Sequence, residues 1–338
     1  MPPADAYRIF GAEVSPYSVK VRSYFRYKQI PHEWLMRTPA TLPEYQKHAK
    51  LPIIPLVVTP DGQGIQDSTP ILEQLEARVP EPSIHPADPV ASFVSALVEE
   101  FGDEWGNKWM FHYRWAREAD QVSASERIVR SMMPDADDAA VADAAVGIRD
   151  RMLGRVWFVG SSPQTAPQIE ESFQAGMRQL EAHLDGRDYL FGARPAFGDF
   201  GLWGQVYNAW TDPTPGAFLR AHTPNVCAWC ERMLDPKAGG DFEPWSSLAP
   251  SFTAFLRDCV GALFLPWTVA NARAIAEGAE EFSVELAGRP FTQKPQKYHA
   301  KSLAALREKY AAAKSAELDA ALGAAGCRVG LRDLASAF

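Results

Sequence analysis

The first thirty residues predict a short apolar strand that leads directly into a helix with a well-defined start. The strand covers 7–10, and Ser15 and Pro16 follow it. Serine favours the N-cap position, and proline suits the first helical position because its missing N–H would have no partner there. The free N–H groups of such a turn, with the positive end of the helix dipole, stabilise a thiolate, a carboxylate or a phosphate. The run 14–22 therefore indicates either an anion site beside Ser15 or a capped surface helix without chemistry.

The pattern up to residue 86 predicts a small α/β domain. After the first strand and helix, the chain is predicted to form a strand, a helix, a strand, a returning strand and a helix, at 32–37, 41–50, 51–59, 65–66 and 71–78. The turn at 60–64 has the Asp-Gly chemistry of a hairpin. A parallel β-α-β unit followed by an antiparallel hairpin gives a mixed four-stranded sheet with helices on its faces.

Three motifs in this domain resemble those of the glutathione S-transferase family. They follow in the family's order and spacing over about residues 7–79, and they are Ser15-Pro16-Tyr17-Ser18 at the first helix, Ile54-Pro55 before the third strand and Asp67-Ser68 before the last helix. The resemblance implies a thioredoxin-like domain at 1–86, followed by an all-helical domain at 90–245. It also implies a homodimer.

Position by position, the resemblance implies a glutathione site. Ser15 stands where the family places the group that activates the thiol. Ile54 would hold the cysteinyl part of glutathione through its backbone, and Pro55 would be the cis proline. Asp67 and Ser68 would bind the γ-glutamyl end at a helix start. The residue types agree, because a cis bond is least unfavourable before proline and a helix N-terminus favours a carboxylate.

The residue types at the first helix also exclude one kind of chemistry. Glutaredoxins carry a pair of cysteines where this chain has Ser15 and Ser18, so dithiol exchange at this site is excluded. A serine hydroxyl can donate a hydrogen bond to a bound thiolate and so lower the pKa of the thiol. We therefore expect the sulfur of glutathione to be the nucleophile and Ser15 to stabilise it. The alternative is that Ser15 only caps the helix.

One position departs from the family pattern. Many relatives carry a lysine or glutamine just before the Val-Pro pair, where the side chain reaches the glycyl carboxylate of glutathione. This chain has Ile53 there, and His48 or Lys50 are the substitutes that the sequence offers.

Helical periodicity dominates after a linker at 85–89. A long helix is predicted over 90–115 with an aromatic stripe that either belongs to the core or walls a pocket for the electrophilic co-substrate. For that pocket we predict Trp109, His112 and Tyr113, together with Tyr17. The resemblance implies that this helix also contributes to the dimer contact.

Two further motifs are interpreted as structural and not as catalytic. Asp199 matches the buried capping aspartate of the family, although Ala196 cannot supply the other half of the capping box. Cys227 and Cys230 have the spacing of a redox or metal pair, but they lie in a predicted helix without a second pair, which favours buried thiols. No metal constellation is expected among the seven histidines.

The last part of the chain, 246–338, is predicted to be an extension containing an apolar helix over 252–276 interrupted at Pro266, a β-hairpin over 282–293 and a basic helix over 298–309. The extension could cover the active-site cleft or extend a subunit interface.

Length, composition and charge limit the number of domains and the class of protein. A chain of 338 residues predicts two or more domains, and its 46% hydrophobic content is that of a globular protein. The net charge of −8 argues against nucleic-acid binding. The four cysteines indicate a reducing compartment, and Met1–Asp5 does not begin a signal peptide, so a cytoplasmic protein without a membrane span is expected.

The sequence favours a glutathione transferase with a role in detoxification, in which the thiolate of glutathione attacks a hydrophobic electrophile. A glutathione-dependent isomerase or dehalogenase would use the same first step. The alternative from another class is a non-catalytic protein of this fold that binds a ligand or a partner.

Overall fold

The computed structural model describes residues 6–332, so the expectation about the first five residues lies outside the described part. The four strands of the N-terminal sheet are β1 (Tyr7–Gly11), β2 (His32–Met36), β3 (Leu56–Val58) and β4 (Gly64–Gln66). Three helices accompany them, α1 (Pro16–Tyr27), α2 (Leu42–His48) and α3 (Ser68–Arg78). The order of strands in the sheet is β2-β1-β3-β4, with β1 parallel to β2 and the other neighbours antiparallel. The predicted thioredoxin-like α/β domain with a mixed four-stranded sheet is confirmed.

The third strand is shorter than the sequence pattern indicated. The predicted strand covered 51–59, whereas β3 begins only at Leu56, after a cis peptide bond between Ile54 and Pro55. Side chains bind the backbone of the preceding loop: the Tyr45 hydroxyl donates to the carbonyls of Leu51 and Ile53 at 2.9 and 2.7 Å. A proline has no N–H to donate to a strand ladder, so this segment is a loop held in place from outside.

The first helix begins as the sequence predicted. Ser15 is its N-cap with extended backbone angles, and its Oγ accepts a hydrogen bond from the Ser18 N–H at 3.3 Å. Pro16 occupies the first turn. Helix α1 packs against a later helix at Gly204, where an added Cβ would lie 2.6 Å from the Pro16 carbonyl oxygen. Only glycine permits this close approach.

The middle of the chain is helical, in agreement with the sequence. Its helices are α4 (Pro89–Phe101), α5 (Asn107–Ala116), α6 (Glu118–Met132), α7 (Asp138–Leu153), α8 (Ala166–His183), α9 (Phe197–Thr211), α10 (Pro213–His222) and α11 (Pro224–Arg232). A π-helical turn, Gly102–Gly106, joins α4 to α5, so the predicted long helix is continuous but contains a widened turn. Asp199 caps α9: its carboxylate accepts from the backbone N–H of Ala196 and of Leu190 at 2.9 and 2.8 Å.

The extension consists of α12 (Trp245–Phe255), α13 (Leu265–Ala276), β5 (Phe282–Leu286), β6 (Arg289–Gln293), α14 (Lys297–Ala313), α15 (Ala316–Ala324) and α16 (Arg328–Arg332). The predicted hairpin is confirmed by the antiparallel pairing of β5 with β6. The predicted interruption at Pro266 is wrong, because a π-helical stretch, Leu256–Phe264, joins α12 to α13. The widened turns before the proline accommodate its missing N–H and its ring.

By length and composition alone this long helix, Trp245–Ala276, could cross a membrane, whereas the sequence analysis expected no membrane span. Half of its most apolar window is buried inside the protein. One hydrophobic core joins residues of all three predicted units, among them Ile9, Phe101 and Leu306. The division of the chain at 86–90 and at 245 remains a prediction.

Candidate functional site

A cavity of about 560 Å³ lies between the start of α3, the junction of α4 with α5, and α14 of the extension. Its wall is formed by Tyr17, Ile53, Ile54, Pro55, Asp67, Ser68, Thr69, Pro70, Glu73, Glu100, Asp103, Glu104, Tyr298, Lys301, Ser302, Ala305 and Lys309. The four residues that the sequence assigned to glutathione binding, Ile54, Pro55, Asp67 and Ser68, all lie on this cavity. Three stretches far apart in sequence therefore meet at one place.

Asp67 has an unusual backbone conformation at the start of α3. Its φ of +78° lies in the left-handed region, which a non-glycine residue rarely adopts, and such positions concentrate at binding sites. The Asp67 carboxylate makes no capping hydrogen bond to α3. Its Oδ2 instead accepts a hydrogen bond from the hydroxyl of Tyr298 in α14. The extension thus contacts a residue that the sequence had assigned to the γ-glutamyl end.

Behind Ser68 lies a buried ionic cluster. The ammonium of Lys20 in α1 is 2.6 Å from Glu99 Oε1 and 2.6 Å from Asp103 Oδ2, and it donates to Ser68 Oγ at 3.3 Å. The Lys20 and Glu99 side chains are each only 1% exposed. Burial alone would lower the pKa of Lys20, but the carboxylates of Asp103 and Glu99 raise it above its usual value. Lys20 therefore remains charged and fixes Ser68 against the junction of α4 with α5.

Two carboxyl groups of the cavity wall have unpaired oxygens. Glu100 Oε1 and Asp103 Oδ1 are shielded from solvent and have no hydrogen-bond partner. Burial, reinforced by the neighbouring carboxylates, raises the pKa of Glu100 to about 8. Burial likewise raises the pKa of Asp103 to about 7, against the lowering effect of Lys20. Buried acceptors without partners are rare, so these oxygens suit a ligand that brings hydrogen-bond donors.

Ser15 and Tyr17 occupy different positions relative to the cavity. Tyr17 lines it, and its hydroxyl donates to the backbone carbonyl of Asp103 at 2.9 Å. Burial raises the pKa of Tyr17 well above its usual range, so the hydroxyl stays protonated. Ser15 is partly buried beside the cavity but is not one of its lining residues.

The structure does not bring Trp109, His112 and Tyr113 together with Ser15 at this cavity. All three are at least 97% buried on α5, facing other helices. Trp109 donates to Ser172 Oγ at 2.7 Å. The two ring nitrogens of His112 lie 2.8 Å from Ser161 Oγ and 3.0 Å from Glu170 Oε1. The role of Trp109, His112 and Tyr113 in a co-substrate pocket stays a prediction. Arg114 of α5 does contact the loop before Ser15, because its guanidinium donates to the Val14 carbonyl at 2.7 Å.

The outer wall of the cavity is one face of α14. Ser302 Oγ donates to Glu104 Oε1 at 3.1 Å, and His299 contacts the same carboxylate. Lys309 forms an ion pair with Glu73 of α3 at 2.7 Å. These contacts show that the extension covers the cavity, which was one of the two placements that the sequence left open.

Comparison with known families decides the relationship. The model of the glutathione S-transferase N-terminal domain matches residues 14–78, and the model of the C-terminal domain of the same family matches 139–232. The two matches follow in the order that the family requires, and they lie within the sheet domain and within the second part of the helical region, α7 to α11. The chain belongs to the glutathione S-transferase family.

Several solved structures resemble this one in fold. A glutathione S-transferase from Methylobacterium radiotolerans, in complex with glutathione sulfonate, is 21% identical, with 68% of this chain and 90% of that chain covered and a TM-score of 0.41. A β-etherase from Sphingobium sp. strain SYK-6 is 20% identical, with 68% and 94% covered and a TM-score of 0.49. A glutathione S-transferase from Rhodospirillum rubrum is 18% identical, with 88% and 99% covered and a TM-score of 0.40. No protein of curated function matches this chain.

Sequence reasoning missed the acidic wall and the residues of α14. One signal was available for the wall: Glu99, Glu100, Asp103 and Glu104 interrupt an otherwise apolar and aromatic helix. Charges on an apolar helix face require partners or a polar cavity. No local signal connected α14 with a site more than 200 residues earlier.

The structure supports no chemistry at the cysteine pair, Cys227 and Cys230. Cys230 is buried in α11 and Cys227 is partly buried beside it, and both thiols are free. Burial raises the pKa of both thiols, which disfavours the reactive thiolate. Within residues 6–332 there is no group of three or more histidine, cysteine or acidic residues arranged to hold a metal.

Proposed function

We propose that this protein binds glutathione in the cavity and activates its thiol for attack on a hydrophobic electrophile. The observation that supports this most strongly is the meeting of the Asp67-Ser68 helix start with the cis Ile54-Pro55 peptide on one cavity wall. The Methylobacterium structure with glutathione sulfonate gives a related protein in which a glutathione derivative is bound.

The charges of the wall fit the γ-glutamyl end of the tripeptide. That end carries a carboxylate and an ammonium at neutral pH. The free N–H groups at the start of α3 and the Ser68 hydroxyl suit the carboxylate. The Asp67 carboxylate and the unpaired oxygens of Asp103 and Glu100 suit the ammonium. The backbone of Ile54 would pair with the cysteinyl residue and so direct the sulfur towards the start of α1.

Ser15 would stabilise the thiolate at that helix start. Its Oγ only accepts a weak hydrogen bond from the Ser18 N–H, at 3.3 Å, so its own hydrogen is available to donate. In the reaction the thiol proton leaves to water and the sulfur electron pair forms a bond to the electrophilic carbon. The leaving group departs with the electrons of the bond that breaks. An isomerase or a dehalogenase would share the first of these steps.

The expectations from the sequence about location, biological role and oligomeric state belong to this proposal. A cytoplasmic location and a role in detoxification fit a transferase that uses glutathione, which is abundant in reducing compartments. Homodimerisation also stays part of the proposal, and light scattering tests it: a mass near 75 kDa supports a dimer of the 37.3 kDa chain, and a mass near 37 kDa overturns it.

A non-catalytic binding protein is the second candidate. Two observations favour it: Ser15 does not line the cavity, and Tyr298 already contacts the Asp67 carboxylate. Glutathione or another small zwitterion could then be a ligand without being a reactant.

Calorimetric titration of the purified chain with glutathione, followed by a conjugation assay with a chlorinated aromatic acceptor, distinguishes these possibilities. We expect binding at millimolar concentration or below and measurable conjugation. Ser15→Ala should reduce kcat roughly ten- to a hundredfold, since a hydrogen bond to a charged group contributes about 1.5–3 kcal/mol, and should largely preserve binding.

A matched control is available in Ser315, which caps α15 by accepting from the Leu318 N–H at 3.1 Å and lies outside the cavity wall. Ser315→Ala should lose a similar cap, about 1 kcal/mol, with unchanged kcat. Binding without conjugation by the native chain would support the binding protein. An absence of glutathione binding would overturn the transferase proposal.

A further inference from the structure

We propose that Lys301, on helix α14 of the extension, receives the glycyl carboxylate of glutathione. This inference rests on the proposed function and adds a binding residue that lies outside both family matches, which end at residue 232. It would also supply the polar contact that the family pattern places at position 53, where this chain has Ile53 without a polar group.

The charges on the cavity wall single out Lys301. The wall carries five carboxyl groups and two lysines, Lys301 and Lys309. Lys309 is already paired with Glu73 at 2.7 Å. Among the described residues, no carboxylate oxygen lies within 4.0 Å of the Lys301 ammonium nitrogen, the distance that defines an ion pair. Lys301 is therefore the cation of the wall whose charge is available to a ligand.

The lining residues assigned to the side of the glycyl end, Ile53, Ile54 and Pro55, include no cation. Ile53 is 44% exposed there, followed by Ile54 and Pro55. The two substitutes that the sequence offered lie elsewhere: His48 contacts Glu44 at 3.0 Å, and neither it nor Lys50 lines the cavity. Of the lining residues on that side, a carboxylate would meet only backbone and apolar side chains, so the lining cation available to it is Lys301, on the opposite wall.

Helix geometry directs Lys301 towards the cavity mouth. At about 100° per residue, Lys301 lies about 160° around α14 from His299, and His299 is turned inward against the Trp267 ring at 4.9 Å. Lys301 is exposed while still lining the cavity. Its long flexible side chain can follow a carboxylate at the rim.

The helix that carries Lys301 is held firmly. Leu303, Leu306 and Tyr310 of α14 are no more than 3% exposed. Leu306 and Tyr310 belong to the main core, and Tyr310 packs against the Phe93 ring at 5.7 Å. At the other end, Tyr298 is bound to Asp67. Lys301 thus projects from a fixed wall, which reduces the ordering that a bound carboxylate requires.

Glutathione has two carboxylates, one at each end of the tripeptide, and the cavity offers a separate binding position for each. The γ-glutamyl carboxylate is assigned to the start of α3, beside Ser68, where backbone N–H groups are free. The glycyl carboxylate is at the opposite end of the tripeptide. Lys301 therefore has one partner of the right charge, and that partner can be removed chemically by esterification.

The test compares glutathione with its glycyl monoethyl ester by calorimetry at pH 7, on the full chain and on Lys301→Ala. The native chain should bind glutathione roughly three- to tenfold more tightly than the ester, as expected for a partly exposed charge pair. Lys301→Ala should weaken glutathione binding by the same factor and leave ester binding unchanged. Lys301→Arg should restore the preference for the free acid.

Lys297→Ala is the matched control, because Lys297 is exposed on the same helix and does not line the cavity. It should leave both affinities unchanged. If Lys301→Ala weakens glutathione and the ester equally, or changes neither, the assignment of Lys301 is overturned while the proposed function stands. If the native chain binds neither ligand, the proposed function is overturned and this inference with it.

Discussion

The two walls of the cavity hold ion pairs of nearly equal length in very different surroundings. Behind the inner wall, which is formed by the start of α3 and the junction of α4 with α5, Lys20 is 2.6 Å from Glu99, with both side chains 1% exposed. On the outer wall Lys309 is 2.7 Å from Glu73, with side chains 36% and 45% exposed. In water such a pair contributes little, whereas in the interior each charge depends on its partner, because neither can regain its hydration. Burial, and not distance, therefore decides how much each wall depends on its charges.

The difference in burial also separates the roles of the two walls. The inner wall is built by α1, α3 and α4, and its buried charges hold Ser68 and the junction of α4 with α5 in one arrangement. The outer wall is one face of α14, where the side chains of Lys301 and Lys309 remain partly exposed to solvent. We regard the inner wall as the part whose arrangement depends on its charges, and the outer wall as the part that is held by apolar packing and whose charges depend little on one another.

The largest effect is expected at the inner wall. Lys20→Met removes the cation and leaves the Glu99 and Asp103 carboxyl groups buried without it. Breaking a buried pair on one side destabilises a protein by about 3–5 kcal/mol. Urea denaturation at pH 7 measures the free energy of unfolding, and a loss below about 1 kcal/mol would show that the cluster behaves like a surface pair.

A second prediction concerns how α14 is held. Leu306 is 1% exposed and packs in the core that the extension shares with the helical region. Leu306→Ala should lower the free energy of unfolding by about 2–5 kcal/mol, through lost burial and the cavity left behind.

Leu51→Ala serves as the control for this helix anchor, since the Leu51 side chain is 56% exposed. Its effect should stay within about 0.5 kcal/mol. If both substitutions have the same small effect in urea denaturation, α14 is a loosely attached cover and not a fixed wall.

A third prediction follows from the raised pKa of Glu100 on the inner wall. Its pKa is about 8 in the folded protein, compared with an ordinary value of 4.5, because burial disfavours the charged form. The folded state then holds a proton that the unfolded state has lost, so this group lowers stability as pH rises from about 4.5 to about 8. Glu100→Gln should remove that decline and stabilise the protein at pH 9 by about 2 kcal/mol or more.

Denaturation curves at pH 5 and pH 9 measure the Glu100 effect. Glu285→Gln is the control, because Glu285 is exposed on β5. It should leave the pH dependence of the native chain unchanged. An equal stability difference between Glu100→Gln and the native chain at both pH values would contradict a buried, protonated Glu100.

The smallest effect is expected at the outer wall. Lys309→Met breaks the exposed pair with Glu73, which lies between the site and a neighbouring cavity of about 650 Å³ lined by the same two residues. The free energy of unfolding should fall by about 0–1 kcal/mol, and 0.5 M salt should reduce even that. A loss as large as that of Lys20→Met in the same assay would remove the distinction between the walls.

The part of the site that the sequence predicted lies in the sheet domain. Ile54, Pro55, Asp67 and Ser68, which the sequence assigned to glutathione binding, lie on one cavity, and that assignment rested on local features, a proline before a strand and a helix start. The pattern of strands and helices in the first 86 residues was also confirmed, apart from the shortened β3. These features depend on residues close together in the chain, which is why a pattern reveals them.

The predictions for α5 show the limit of such patterns. An aromatic stripe indicates which face of a helix is buried, and Trp109 and Tyr113 are indeed buried. The stripe does not say whether that face meets a cavity or another helix. His112 meets Ser161 and Glu170, which the chain supplies from a different segment.

Short-range patterns in the sequence were enough to predict the thioredoxin-like domain, the capped start of α1, the resemblance to the family and the absence of a dithiol at Ser15 and Ser18. The acidic inner wall in front of Lys20 and the outer wall from α14 arise only when distant segments pack together. The reason is physical: capping, turns and periodicity act over a few residues, whereas burial of a charge depends on every segment packed around it. The contact of Tyr298 with Asp67, across 231 positions of the chain, exists only because the whole core between them folds.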